Sequence, residues 1–225
     1  MVNFFSISLV AYLVGSFPTA YLFVKKFTGR DIKKIGSGNV GAMNTIRALR
    51  EKSKKLAIVG FLVVLIIDMA KGAFSIFLAH FFLPFNSLAL IIAGFFVVLG
   101  HNYSIFLKFA GGRGAACLIG ILLYLDPFSF MVWGLPMFFC TILFQIILEK
   151  VGFETKIDWK KILPIVSIFG KQMAGRFAGL FFGPVALYFY NPQIFLPIAA
   201  GTILLLIKNI PRFKSYFLGE KIDGG

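Results

Sequence analysis

The sequence predicts an all-α integral membrane protein of about seven transmembrane helices, with its N-terminus outside and its C-terminus in the cytosol. Three observations predict this. Hydrophobic residues make up 59% of the chain and charged residues only 14%, against roughly 25% charged in soluble domains. Several apolar runs reach the roughly 20 residues that a helix needs to cross hydrocarbon. Of the 23 Lys and Arg, 22 fall in alternate loops, leaving Lys71 alone inside a span.

The candidate spans lie near 3–24, 56–82, 86–107, 114–126, 128–148, 175–190 and 193–208. The first lacks the basic start and small-residue cleavage site of a signal peptide, so it reads as a helix that stays. It and the third are clean. The second is long enough to tilt or project from the bilayer. The fourth, about 13 residues or roughly 20 Å at the helical rise, cannot span alone. The loop before it, Gly111-Gly-Arg-Gly114, is therefore expected to dip inward, because irregular backbone at depth survives only inside protein or beside a watery cavity.

Charge then orients the helices. Ten Lys and Arg lie between Lys25 and Lys55, followed by Lys108 and Arg113, six from Lys150 to Arg176, and four from Lys208 to Lys221. The N-terminus, 83–86, Asp126-Pro127 and Asn191-Pro192 have none. The positive-inside rule places the basic loops in the cytosol. The net charge of +14 thus belongs to one face, where it also attracts anionic lipid head groups. No soluble basic module accompanies it, which argues against nucleic acid as a partner. Cys117 and Cys140 lie singly in spans with neither disulfide nor metal spacing. Residues 1–225 read as one polytopic domain without internal repeats. Its long cytosolic stretches are about 25–55 and about 149–174, the second an amphipathic candidate for the interface with Trp159.

Three constellations could carry chemistry. Ile35-Gly-Ser-Gly-Asn-Val-Gly41 spells G-x-G-x-x-G at Gly36, Gly38 and Gly41. A dinucleotide fold needs a strand before it and an acid about 20 residues on, and a helix end and a basic loop precede it here. What survives is an anion-holding loop, since glycines expose backbone N–H groups ahead of a helix N-terminus. Ser37 and Asn39 add short polar side chains, and the following AMNTIRALREK places Asn44 and Arg47 on one helical face. A plain polar turn entering the membrane is the alternative. The second constellation is Gly100-His-Asn-Tyr103 with Lys108-Phe-Ala-Gly-Gly-Arg-Gly114. Its glycines suit a close backbone approach to a ligand, and Arg113 offers a planar fork for phosphate or carboxylate. His101 is either an acid–base group or an interfacial anchor. Third, Asp68 and Lys71 share a face within a span; groups at that depth pair with each other or line a cavity. No triad, zinc cluster or paired carboxylates are evident, so neither metal nor cofactor is expected.

These residues carry a resemblance. Ala11-Tyr-Leu-Val-Gly-Ser-Phe-Pro18, Asp31 to Asn44, Arg47-Ala-Leu, Asp68-Met-Ala-Lys-Gly72, Gly100-His101 and Gly111 to Gly114 resemble the bacterial membrane glycerol-3-phosphate acyltransferases that use acyl phosphate. The match is specific across about 8–120. The resemblance implies a seven-helix bundle in the bacterial plasma membrane with its active site on the cytosolic side. It implies transfer of a fatty acyl group from acyl phosphate to the 1-hydroxyl of glycerol 3-phosphate, giving lysophosphatidic acid and phosphate. Ser37, Arg47 and His101 are then the expected catalytic residues. Gly36, Gly38, Asn39, Gly41, Asn44, Gly111, Gly112, Arg113 and Gly114 are the expected phosphate-binding set, supported by Asp68 and Lys71. Acyl phosphate, glycerol 3-phosphate and membrane lipids are the implied partners.

The chain also departs from the family. Met43 replaces a threonine and Arg113 a lysine; Gly179 and Phe182 stand at the family's serines, and the basic run Ile207 to Phe213 has no histidine. A divergent paralogue, inactive or acting on another phosphorylated acceptor, and a transporter of phosphorylated solutes are the competing readings.

Overall fold

The computed structural model describes residues 3–153 and 172–219. Helices α1 (Phe4–Ser16), α2 (Thr19–Thr28), α3 (Ala42–Arg50), α4 (Lys54–Phe82), α5 (Ser87–Asn102), α6 (Ala115–Leu125), α7 (Pro127–Lys150), α8 (Met173–Tyr190) and α9 (Pro192–Phe217) follow in order. Short 3-10 turns occupy Ile32–Lys34 and Ile105–Leu107. Most of the segment expected near 149–174 lies outside the described residues.

Side chains placed just before the helices start them. Asn3, Ser53, Asn86, Asp126 and Gln172 each accept a hydrogen bond from a backbone N–H of the first turn, which satisfies a donor that the helix cannot. Pro127 and Pro192 sit at first helical positions, where a missing N–H is harmless.

All seven expected spans lie on helices. Among the described residues, five stretches are long and apolar enough to cross a membrane: Phe4–Thr28, Lys54–Phe82, Ser87–Leu107, Pro127–Lys150 and Pro192–Phe217. The short helix α6 has 11 residues. Large apolar side chains face outward, as with Phe5, Phe139 and Phe189 at 74%, 69% and 80% exposure. A bundle with that much apolar surface is built for lipid.

Three expectations need correction. The first span is not one clean helix: α1 ends at Ser16 and α2 begins at Thr19. Pro18 has no N–H and drives its predecessor out of the helical region, so Phe17 sits at ψ 120°. The third span likewise stops at Asn102, and a loop carries the chain on. The last span does not end near 208 but carries the basic run from Ile207 to Phe213 within it. Helix α9 continues to Phe217 through Pro211.

Glycine decides which helices touch most closely. A Cβ on Gly15 would strike the Val97 carbonyl oxygen and one on Gly100 that of Tyr12, so α1 and α5 meet backbone to backbone. Gly72 and Gly120 do the same for α4 and α6, against the Cys117 and Met69 carbonyl oxygens. Gly175, Gly179 and Gly183 form a stripe at four-residue spacing along α8 that lies on the backbone of Cys140, Met137 and Trp133 in α7. Without a solvent-driven force between apolar helices, such close packing is a principal source of association in lipid.

Candidate active site

The break between α1 and α2 creates the site. There the Phe17 carbonyl accepts from the Thr19 N–H at 3.0 Å and from Lys71 Nζ at 2.6 Å, and the same ammonium donates to Asp68 Oδ1 at 2.6 Å. Both side chains of the pair are buried. They therefore form the expected ion pair and also line a cavity. Around that cavity stand Ser16, Thr19, His101, Ser104, Gly111 and Gly112. It is small, about 10 Å³, roughly the room for one water.

His101 reaches this cavity from the last turn of α5, with Nδ1 3.9 Å from Asp68 Oδ1. Its carbonyl accepts from the Gly112 N–H at 2.9 Å. A Cβ on Gly112 would collide with His101 Nε2, so this glycine is required by a close approach. The expected inward dip of Gly111–Gly114 is thus realised against a buried imidazole. Ser104 secures the other side, its hydroxyl donating to the Ser16 carbonyl at 2.5 Å, while Tyr12 Oη donates to the Tyr103 carbonyl at 2.8 Å.

The first glycine loop meets the second. Val40 N–H donates to the Gly111 carbonyl at 3.3 Å, joining 35–41 to 111–114. Gly36 and Gly38 adopt left-handed φ values of 52° and 67°, which residues with a side chain rarely tolerate. Gly41 precedes α3 in an extended conformation, and its carbonyl accepts from the N–H groups of Asn44 and Thr45.

The predicted residues divide accordingly. Asp68, Lys71, His101, Gly111 and Gly112 share the buried cavity. Gly36, Ser37, Gly38, Asn39, Gly41, Asn44 and Arg47 form the neighbouring loop and helix start. Asn44 is buried, and its amide is taken up by the loop itself. It donates to the carbonyls of Ile32 and Ile35 at 3.2 and 2.9 Å and accepts from the Ser37 N–H at 3.3 Å. It shapes the loop and has no face turned outward. Arg47 is exposed, and its aliphatic stem lies beside Gly36. Arg113 is half-buried, and Gly114 is left-handed at φ 82° at the start of α6.

Two residues enter the site without having been singled out. Thr19, one place past Pro18, lines the cavity, and its buried hydroxyl has no partner among the described residues. Lys208 of α9 places its ammonium 4.1 Å from the centre of the Tyr103 ring, within electrostatic range of Arg113 and His101. A lysine eleven residues after a proline in an apolar run gives no local sign of that position. Gly179, by contrast, is explained: its Cα lies on the Met137 backbone, where no serine side chain fits.

Comparison with known proteins gives this arrangement a lineage. Over 128 residues the chain is 39% identical to glycerol-3-phosphate acyltransferase 1 of Dehalococcoides mccartyi, covering 57% of this chain and 56% of that one. Over 132 residues it is 42% identical to the glycerol-3-phosphate acyltransferase of Helicobacter pylori, covering 59% of each. The matched stretch therefore spans little more than half the length of these relatives. The crystal structure of an integral membrane glycerol 3-phosphate acyltransferase in its glycerol 3-phosphate form superposes with a TM-score of 0.69 at 21% identity. It covers 99% of this chain and 96% of the other. The lysophosphatidic acid form gives 0.67, also at 21% identity, over 97% and 93%. At that identity the likeness concerns the fold. The family profile for glycerol-3-phosphate acyltransferase matches residues 5–216, nearly the whole chain, and the protein belongs to that family.

Proposed function

We propose that the protein transfers a fatty acyl group from acyl phosphate to the 1-hydroxyl of glycerol 3-phosphate, forming lysophosphatidic acid and inorganic phosphate at the cytosolic face of a bacterial plasma membrane. The observation that carries this reading is the junction of the two glycine loops, Val40 to Gly111, beside the cavity of Asp68, Lys71 and His101. Both substrates bring phosphate. Backbone N–H groups, Arg47, Arg113 and Lys208 supply donors for two anions at one end of the bundle. The cytosolic placement rests on the one-sided Lys and Arg distribution.

The chemistry asks little of the protein. Acyl phosphate is an activated mixed anhydride. The 1-hydroxyl oxygen attacks its carbonyl carbon, the bond between that carbon and the phosphate oxygen breaks, and a substrate phosphate oxygen takes up the hydroxyl proton. Positioning and electrostatic stabilisation of the developing charge then supply the acceleration. Ser37, Arg47 and the backbone of Gly36 to Gly41 hold one phosphate, with Asn39 beside them and Asn44 fixing the loop. Gly111, Gly112, Arg113 and Gly114 hold the other, and His101 faces the reacting group.

Purified protein given palmitoyl phosphate and glycerol 3-phosphate should release phosphate and form lysophosphatidic acid, and Arg47→Ala should abolish both. No turnover by the wild-type protein with that pair overturns the reading. Flux of glycerol 3-phosphate into sealed vesicles without chemistry would identify a transporter instead.

A further inference from the structure

The polar cavity lies at a depth that the helices fix. Helix α1 runs 13 residues from Phe4 to Ser16, about 20 Å at the helical rise. Helix α6 has 11 residues between Gly114 and the Asp126 turn, and α4 covers a similar stretch from Lys71 to Phe82. Ser6 and Ile7 line one cavity with Leu78 and Phe82, so α1 and α4 finish at the same end of the bundle. The hydrocarbon core is about 30 Å thick. The cavity of Asp68, Lys71 and His101 therefore stops about 10 Å short of the boundary on the basic side.

At that level a knuckle, Ser104 to Ala110, turns outward between His101 and the Gly111–Gly114 loop. Its backbone closes on itself. The N–H groups of Leu107 and Phe109 donate to the Ser104 carbonyl at 3.1 and 2.8 Å. That of Ala110 donates to the Leu107 carbonyl, and that of Ser104 to the Ala110 carbonyl, each at 3.2 Å. In hydrocarbon a backbone polar group needs such an internal partner. Lys108 and Phe109 take left-handed φ values of 56° and 61°, a strained choice for residues with side chains that persists only where the surroundings impose it. The twist buries Leu107 and leaves Ile105, Phe106 and Phe109 at 50%, 59% and 62% exposure, with Lys108 exposed beside them. Ser104 ties the knuckle to the end of α1 through the Ser16 carbonyl, so its depth is that of the α1 end.

Large apolar side chains held outward at membrane depth fit lipid tails, and a lysine among them fits an anion. A lysine below the boundary extends its stem toward the head groups and draws a phosphate down to meet it. We propose that the 104–110 knuckle is a lipid-binding anchor, with Ile105, Phe106 and Phe109 among the tails and Lys108 holding the phosphate of an anionic membrane lipid. The occupant is a lipid and not a soluble partner, because α1 also exposes Leu13 and Phe17 at this level. The Gly112 N–H bond to the His101 carbonyl closes the base of the knuckle, so a lipid bound there steadies both sides of the site.

The test replaces Phe106 by the photoreactive p-benzoylphenylalanine in the full chain. The protein is reconstituted in equimolar vesicles of dioleoyl phosphatidylglycerol and dioleoyl phosphatidylcholine. Irradiation should give a lipid adduct, read by mass spectrometry, in which phosphatidylglycerol exceeds phosphatidylcholine by about fivefold, the preference that one lysine confers near anionic lipid. Lys108→Gln should bring the two adducts to equality. The same label at Phe109 repeats the measurement, so the outcome does not depend on the folding of one variant. Equal adducts with Lys108 in place, or a preference that survives Lys108→Gln, overturn the anionic site. Cross-linking to a second copy of the chain, or no lipid adduct at either position, overturns the anchor.

Discussion

Lys71 Nζ donates to the Phe17 carbonyl at 2.6 Å, so a buried cation from α4 fixes the backbone at the break that Pro18 makes in the first span. The same ammonium neutralises Asp68. A helix break in hydrocarbon needs such a partner.

Lys71→Met should therefore strip a charge partner and a donor at once. Removing one member of a buried pair costs about 3–5 kcal/mol, read as a lowered unfolding midpoint in detergent. Adding Asp68→Asn should recover a large part of it, because the uncompensated carboxylate is gone. A double variant no more stable than the single one would show that the Phe17 contact dominates.

Gly112→Ala drives a methyl group into His101 Nε2. A displacement of about 1 Å at a reacting centre can cost about a hundredfold in rate, so kcat should fall steeply while the melting midpoint moves little. Wild-type kcat in this variant would remove His101 from the mechanism.

Asn44→Ala breaks three hydrogen bonds that hold 32–37 against α3, a loss of about 1–3 kcal/mol for the buried groups left unpaired. The loop it shapes is the proposed phosphate holder, so KM for a phosphorylated substrate should rise more than kcat falls. Unchanged KM values would place both phosphates elsewhere.

Gly179→Ser restores the family's serine but has no room for it against Met137. The outcome should be separation of α7 from α8 and a lower melting midpoint, with no gain in activity. Gly134→Ala in α7 is the matched control, since nothing lies within 4 Å of its Cβ position. There the change should stabilise by about 0.5–1 kcal/mol.

Lys208→Met should lower kcat/KM by about tenfold if its charge serves an anion, the equivalent of ~1.4 kcal/mol, and Lys208→Arg should restore part of it. Raising the salt concentration should have little effect on this difference, because partly buried charges are weakly screened.

The helices and five of the candidate spans were legible because hydrophobic length is a local property. The two glycine loops were legible as irregular backbone for the same reason. Pro18 marked the broken first helix openly, yet an apolar run on either side of it reads as continuous when only hydropathy is weighed. The Gly175–Gly179–Gly183 stripe was also in plain view, at the spacing that brings helices together, but resemblance drew attention to a missing hydroxyl instead. Asn44 was read on the helical face that carries Arg47; that its amide turns back to the loop depends on carbonyls from Ile32 and Ile35 that only folding brings near. Lys208 was counted for topology alone, because its approach to Tyr103 joins positions more than a hundred residues apart.

The glycine-locked pairs also bear on which way the bundle can open. With α1 fixed to α5 and α4 to α6, the least costly motion is a slight parting of the two blocks along their shared seam. Val10 and Phe82, exposed at the edge of that seam, mark where the two blocks would open to the leaflet.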